Sequence, residues 1–130
     1  QMGMRVDVAC PPGYEPNADI VLRGQQLSPV RVIHDPLEAA SAADILYTDT
    51  WISMGDEAAS AQRLRAFSRY RIDEKVLNTA KDDAIVLHCL PAHRGQEITD
   101  EVMDGPHSAI FEQAENRLHA QKALLLKLPL

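Results

Sequence analysis

The sequence predicts an α/β fold built on a doubly wound parallel sheet, Rossmann-like in its alternation, and three observations carry that prediction. Short apolar or alternating runs recur at 4–10, 30–34, 44–49 and 83–89. Between them lie segments that open with helix-start residues and continue with helical spacing of apolar side chains. Strands alternating with helices pack as a parallel sheet, because each crossover helix must cover a face of that sheet. Ligands of such sheets collect beyond the carboxyl ends of the strands, so the residues at strand ends are the first candidates for function.

The elements follow in order. MRVDVAC (4–10) alternates apolar and polar and stops at Pro11-Pro12-Gly13, a strand followed by a turn. Asn17 precedes Ile20, Val21, Leu22 and Leu27, which reads as a capped short helix. Val30 to His34 is a second strand. Asp35 and Pro36 then open an Ala-rich helix, the aspartate as cap and the proline in the first helical position. The third strand runs from Asp44 to about Asp49, and 56–67 and 73–80 are helical, the latter capped by Asp73. DAIVLHC (83–89) is nearly all apolar, as expected of a central strand covered on both faces. Thr99 to Met103 reads as one helical turn.

Residues 111–128 predict a long helix, with Glu112 and Glu115 near its start and Lys122 and Lys127 near its end, complementing the helix dipole. Leu118 and Leu125, with Ala114 and Gln121 on the same face, predict a buried stripe. The first residues, QMGM, read as the tail of a helix stopped by Gly3, so the chain is expected to begin in mid-domain.

Composition narrows the function classes. A chain of 130 residues holds one domain at most, and 45% apolar with 25% charged residues is ordinary for a soluble globular protein. The net charge of −6 disfavours nonspecific nucleic-acid binding, which needs excess Lys and Arg to neutralise phosphates. Arg63, Arg65, Arg69 and Arg71 form a local exception, read as a solvated helix face and loop. Cys10 and Cys89 have no framework spacing, which fits a reducing compartment; the cytoplasm is the expected location. No apolar run approaches the roughly 20 residues of a membrane span, and no signal peptide is recognisable.

The strand-end rule then selects residues. The third strand leads into Asp49, Thr50 and the Ser53-Met54-Gly55 turn, and the fourth ends in His88 and Cys89. An aspartate at a strand tip binds an ammonium group, and backbone N–H groups in a tight turn cradle a carboxylate, so the pair suggests an amino-acid site. Asp49 is equally readable as a cap or turn former, Trp51 as core, and Cys89 as a buried structural thiol. His88, Cys89 and His93 carry zinc-ligand chemistry, but neighbours on a strand point to opposite faces and no second cluster completes a tetrahedron. No metal and no cofactor is therefore expected. The same geometry disfavours a Cys–His nucleophile pair.

Three blocks in this order, DTWISMG (49–55), HCLPAHRGQEIT (88–99) and FEQAENRLHAQKALL (111–125), closely resemble ornithine carbamoyltransferases, in their C-terminal, ornithine-binding domain. The resemblance spans essentially the whole chain. It implies that Asp49, Ser53 and Met54 hold ornithine, with Cys89 beside the side-chain amine. It further implies that Leu90 offers its carbonyl to the carbamoyl group across a cis Leu90–Pro91 bond. Arg117 is expected to reach carbamoyl phosphate from the last helix. Asp49, Cys89 and Arg117 are the catalytic candidates, and whether Asp49 or Cys89 accepts the proton is open; His88 and His93 are expected to be structural or supporting.

The substrates implied are ornithine and carbamoyl phosphate, the product citrulline, the role of the arginine-biosynthesis or urea-cycle type, and the complete enzyme a homotrimer with sites at subunit boundaries. The family's phosphate-binding S-T-R-T and H-P-x-Q motifs are not in this sequence. Residues 1–130 are thus expected to be an ornithine-binding domain incomplete at its N-terminus, lacking its first strand and helix and inactive alone. The other readings are a non-catalytic module binding ornithine or a partner protein, and a zinc or thiol sensor built around Cys89.

Overall fold

Side-chain caps set the helices where the sequence placed them. In the computed structural model, which describes residues 3–52 and 60–128, Asn17 accepts the N–H groups of Asp19 and Ile20 and opens α1 (Ala18–Gln25). Asp35 likewise accepts from Leu37 and Glu38 and opens α2 (Pro36–Ala40), with Pro36 in the first turn. Of the helix expected over 56–67, residues 56–59 lie outside the described residues; α3 (Ser60–Phe67) is helical, and a 3₁₀ turn follows at Ser68–Tyr70. Asp73 accepts from Val76 and caps α4 (Glu74–Leu77), while α5 (Asp100–Met103) and α6 (Ile110–Lys127) complete the helices. Each cap satisfies N–H groups that a first helical turn leaves without partners.

Four strands of four residues alternate with these helices: β1 (Val6–Ala9), β2 (Val30–Ile33), β3 (Ile45–Thr48) and β4 (Ile85–His88). All pairing is parallel, as predicted. β1 pairs with β2, Val6 opposite Val30 through Ala9 opposite Ile33; β3 pairs with β4, Ile45 opposite Ile85 through Thr48 opposite His88. Among the described residues no ladder joins the two pairs, so the expected single sheet is present as two parallel ribbons.

The carboxyl ends of β1 and β2 are tied by side chains. The Tyr70 hydroxyl lies 3.0 Å from the Cys10 carbonyl and 2.6 Å from the His34 carbonyl, and His34 Nδ1 lies 2.8 Å from the same Cys10 oxygen.

The core sits against one face of the β3–β4 ribbon. Leu46 and Val86 are register partners and both point into it, where they meet Ile72, Ile98, Val102 and Ile110. Side chains alternate across a strand, so Ile45 and Ile85 fall on the other face, where they are exposed along with Tyr47. This corrects the expectation for β4: its second face is only partly covered among the described residues, with Ile85 exposed and Leu87 half-buried.

A second correction concerns α6. Its start is anchored to β4, with the Ala109 N–H bonded to the Val86 carbonyl, and Ile110 is buried. The stripe of Leu118 and Leu125 is not: these residues are 58% and 68% exposed. The helical spacing holds, but burial also needs an opposing surface, and the described residues place none beside the later turns.

Candidate active site

Register brings the two predicted strand-end residues together. Thr48 and His88 are partners at the last rung of the β3–β4 ladder, so Asp49 and Cys89 leave the ribbon side by side at its carboxyl end. The Cys89 thiol donates to Asp49 Oδ1 at 2.7 Å. The same carboxylate oxygen accepts the Thr50 N–H at 2.7 Å, so Asp49 is both a turn former and a partner of the thiol. The two loops are linked once more, Thr50 Oγ1 lying 3.0 Å from His93 Nδ1. Cys89 is exposed whereas its neighbour His88 is buried, the opposite-face arrangement the sequence predicted. A structural thiol in the core is thereby set aside, and so is a Cys89–His88 nucleophile pair.

Partial desolvation, the hydrogen bond to Asp49 and the charge of that carboxylate together push the Cys89 thiol up to about 11. The group is therefore a thiol, a hydrogen-bond donor, at neutral pH. Because the folded chain binds this proton more tightly than the unfolded one, the stability it contributes is fully present below pH 9 and is lost as pH rises toward 11. A direct consequence is slow alkylation. At pH 8 only about a thousandth of such a thiol is thiolate, so iodoacetamide should modify Cys89 at about that fraction of its limiting rate. Initial rates mapped to Cys89 by mass spectrometry should rise with a midpoint near pH 11; a midpoint near the free-thiol value of about 8.5 would mean that the Asp49 contact is absent in solution.

Leu90 follows with φ 56°, in the left-handed region that non-glycine residues rarely occupy, and the Leu90–Pro91 bond is cis, as expected. Its N–H donates to His88 Nδ1 at 2.8 Å. Arg117 lies on α6, exposed, and its position follows from register. The helix runs alongside β4 toward the strand's carboxyl end: Ala109 bonds Val86, and four residues later Gln113 Oε1 accepts the His88 N–H at 3.0 Å. Arg117 lies four residues beyond Gln113, one turn further along the same helix face. Ser53 and Met54, the remaining predicted ornithine contacts, lie outside the described residues.

Two residues that the sequence reading passed over matter here. Gln113 braces the site from α6, accepting from His88 and placing its Nε2 within 3.2 Å of the Tyr47 hydroxyl, which joins helix, β3 and β4. Glu97 is fully buried and bonded to His88 and to the His93 N–H. A glutamine in the first turn of an amphipathic helix and a glutamate in a polar loop carry no local signal of such roles.

The family described as aspartate/ornithine carbamoyltransferase, Asp/Orn-binding domain, matches residues 1–128. The chain belongs to that family. Among individual carbamoyltransferases, the ornithine carbamoyltransferase of Methanosarcina acetivorans is 59% identical over 98% of this chain, and that of Archaeoglobus fulgidus 54% over 97%. The solved ornithine carbamoyltransferase of Pyrococcus furiosus superposes with a TM-score of 0.86 at 43% identity, over 95% of this chain. An N-acetyl-L-ornithine transcarbamylase gives 0.82 at 29% identity. The chain spans about two fifths of these relatives, 42% of the Methanosarcina sequence and 41% of the Pyrococcus structure. Despite the break between its two ribbons, the fold is thus that of the family's amino-acid-binding domain.

Proposed function

We propose that this chain supplies the ornithine-binding half of an ornithine carbamoyltransferase. The observation that carries the reading is the Cys89–Asp49 contact at the carboxyl ends of adjacent parallel strands. In the reaction, the amine nitrogen of ornithine attacks the carbonyl carbon of carbamoyl phosphate. A C–N bond forms, the C–O bond to phosphate breaks, phosphate leaves, and the amine proton passes to an acceptor, giving citrulline. A free alkylamine like that of lysine has a pKa of about 10.4, so the site must both hold the ammonium form and take its proton.

Asp49 fits both roles, as a carboxylate at the strand tip. Cys89, protonated at neutral pH, fits a donor that orients Asp49 and borders the amine rather than a base. Leu90 offers its carbonyl to the carbamoyl NH₂ group. Arg117, exposed on α6, would stabilise charge on the carbonyl oxygen or the leaving phosphate, an electrostatic role. Ser53 and Met54 complete the ornithine contacts. The complete enzyme would act in the cytoplasm as a homotrimer in arginine biosynthesis, without metal or cofactor. The sequence holds neither phosphate-binding motif, so this chain alone does not turn over.

Titration of the purified 130-residue chain with ornithine, followed by carbamoyl phosphate and a citrulline assay, tests the reading. Saturable ornithine binding is expected, with no citrulline until a chain bearing the phosphate-binding motifs is added. Absence of ornithine binding would refute the amino-acid site; citrulline from this chain alone would refute the half-site assignment.

A further inference from the structure

The buried pair His88 and Glu97 takes no part in the chemistry above, and its geometry fixes its protonation. Both side chains are wholly enclosed. The Leu90 N–H donates to His88 Nδ1, so Nδ1 carries a lone pair and the ring's proton sits on Nε2. A buried N–H needs an acceptor, and Glu97 Oε1 supplies it at 3.1 Å. The opposite tautomer would set an Nδ1–H against the Leu90 N–H, donor against donor. Oε1 also receives the His93 N–H, and the His93 ring in turn meets Thr50. The other oxygen, Oε2, is buried without a hydrogen-bond partner among the described residues, an arrangement that costs stability. What Glu97 does is therefore done by Oε1.

We infer that Glu97 is a positioning residue: it holds neutral His88 in the Nε2–H tautomer, so that His88 pins the Leu90 amide while Glu97 pins the His93 amide, and the Asp49, Cys89 and Leu90 groups stay in register. The functional part of this inference rests on the amine-site reading above, whereas the tautomer and its hold on Leu90 do not. Leu90 gains most from it, since its φ of 56° is unfavourable for a side-chain-bearing residue and is held by the bond to His88. Glutamine at position 97 keeps the accepting oxygen without the charge. It therefore separates tautomer selection from an ion pair between His88 and Glu97.

The test uses the ¹⁵N-labelled 130-residue chain without any ligand. In the wild type, His88 should give a pyridine-like Nδ1 and a pyrrole-like Nε2 resonance, and Glu97→Gln should preserve both. Glu97→Ala should give mixed tautomers and a moved Leu90 amide resonance. Its Cys89 alkylation at pH 8 should be about tenfold faster, the thiolate gain of a one-unit fall in pKa. A wild-type ring protonated on Nδ1, or a Glu97→Gln chain that behaves like Glu97→Ala, would overturn the proposal. So would a Glu97→Ala chain that only loses thermal stability while ring and amide resonances stay in place. Should Glu97→Ala fail to fold, the wild-type and Glu97→Gln spectra still decide. Ornithine titration is scored separately, so failure of the amino-acid site leaves the tautomer result legible.

Discussion

An Asp49→Ala chain should bind ornithine about a hundredfold more weakly than the wild type, with its fold intact. Asp49 is the carboxylate that meets the Cys89 thiol at the joined ends of β3 and β4, and its removal takes a counter-charge from the substrate ammonium. Losing a hydrogen bond to a charged group costs about 1.5–3 kcal/mol, roughly ten- to a hundredfold in affinity. The same substitution should speed Cys89 alkylation at pH 8, since the hydrogen bond and charge of Asp49 both hold the thiol protonated. Reading the two effects on one sample is informative. Weaker ornithine binding with faster alkylation places Asp49 between amine and thiol; unchanged affinity with faster alkylation would remove Asp49 from the amino-acid site altogether.

The largest loss of stability is expected from Ile98→Ala. Ile98 is fully buried among Val86, Ile72 and Val102, and its backbone bridges toward Ile72 on one side and Arg94 on the other. Truncating such a side chain removes its transfer free energy and leaves a cavity, together about 2–5 kcal/mol. Domains are stable by only about 5–15 kcal/mol, so the variant should unfold at a markedly lower urea concentration. Leu126→Ala, at a position 85% exposed, is the matched control and should move stability by less than about 0.5 kcal/mol. An Ile98→Ala shift as small as the control's would mean that the core lies elsewhere.

Local signals were the legible part of this sequence. Asn17, Asp35 and Asp73 cap because each sits immediately ahead of a helical run, and the structure finds all three accepting the expected N–H groups. Asp49 and Cys89 were legible because a strand end is a position that apolar runs define. What stayed hidden depends on partners distant in sequence. Glu97 is buried only because its loop folds back over His88, and Leu118 and Leu125 are periodic yet open because periodicity names a face without naming what covers it. β4 misled for a related reason: an apolar run implies two covered faces only if both are met by other elements.

The β3–β4 ladder has a consequence for how the site comes into being. Each of its rungs, from Ile45 opposite Ile85 to Thr48 opposite His88, joins residues 40 apart, and the Cys89–Asp49 bond spans the same distance. A chain must first close this long ring, against its loop entropy, before the ladder rewards it, which makes the step slow among folding events. Until then Cys89 titrates as an ordinary thiol. A nascent or partly unfolded chain thus exposes a thiol of normal reactivity, and the quiet thiol of the finished domain appears only when the ladder closes.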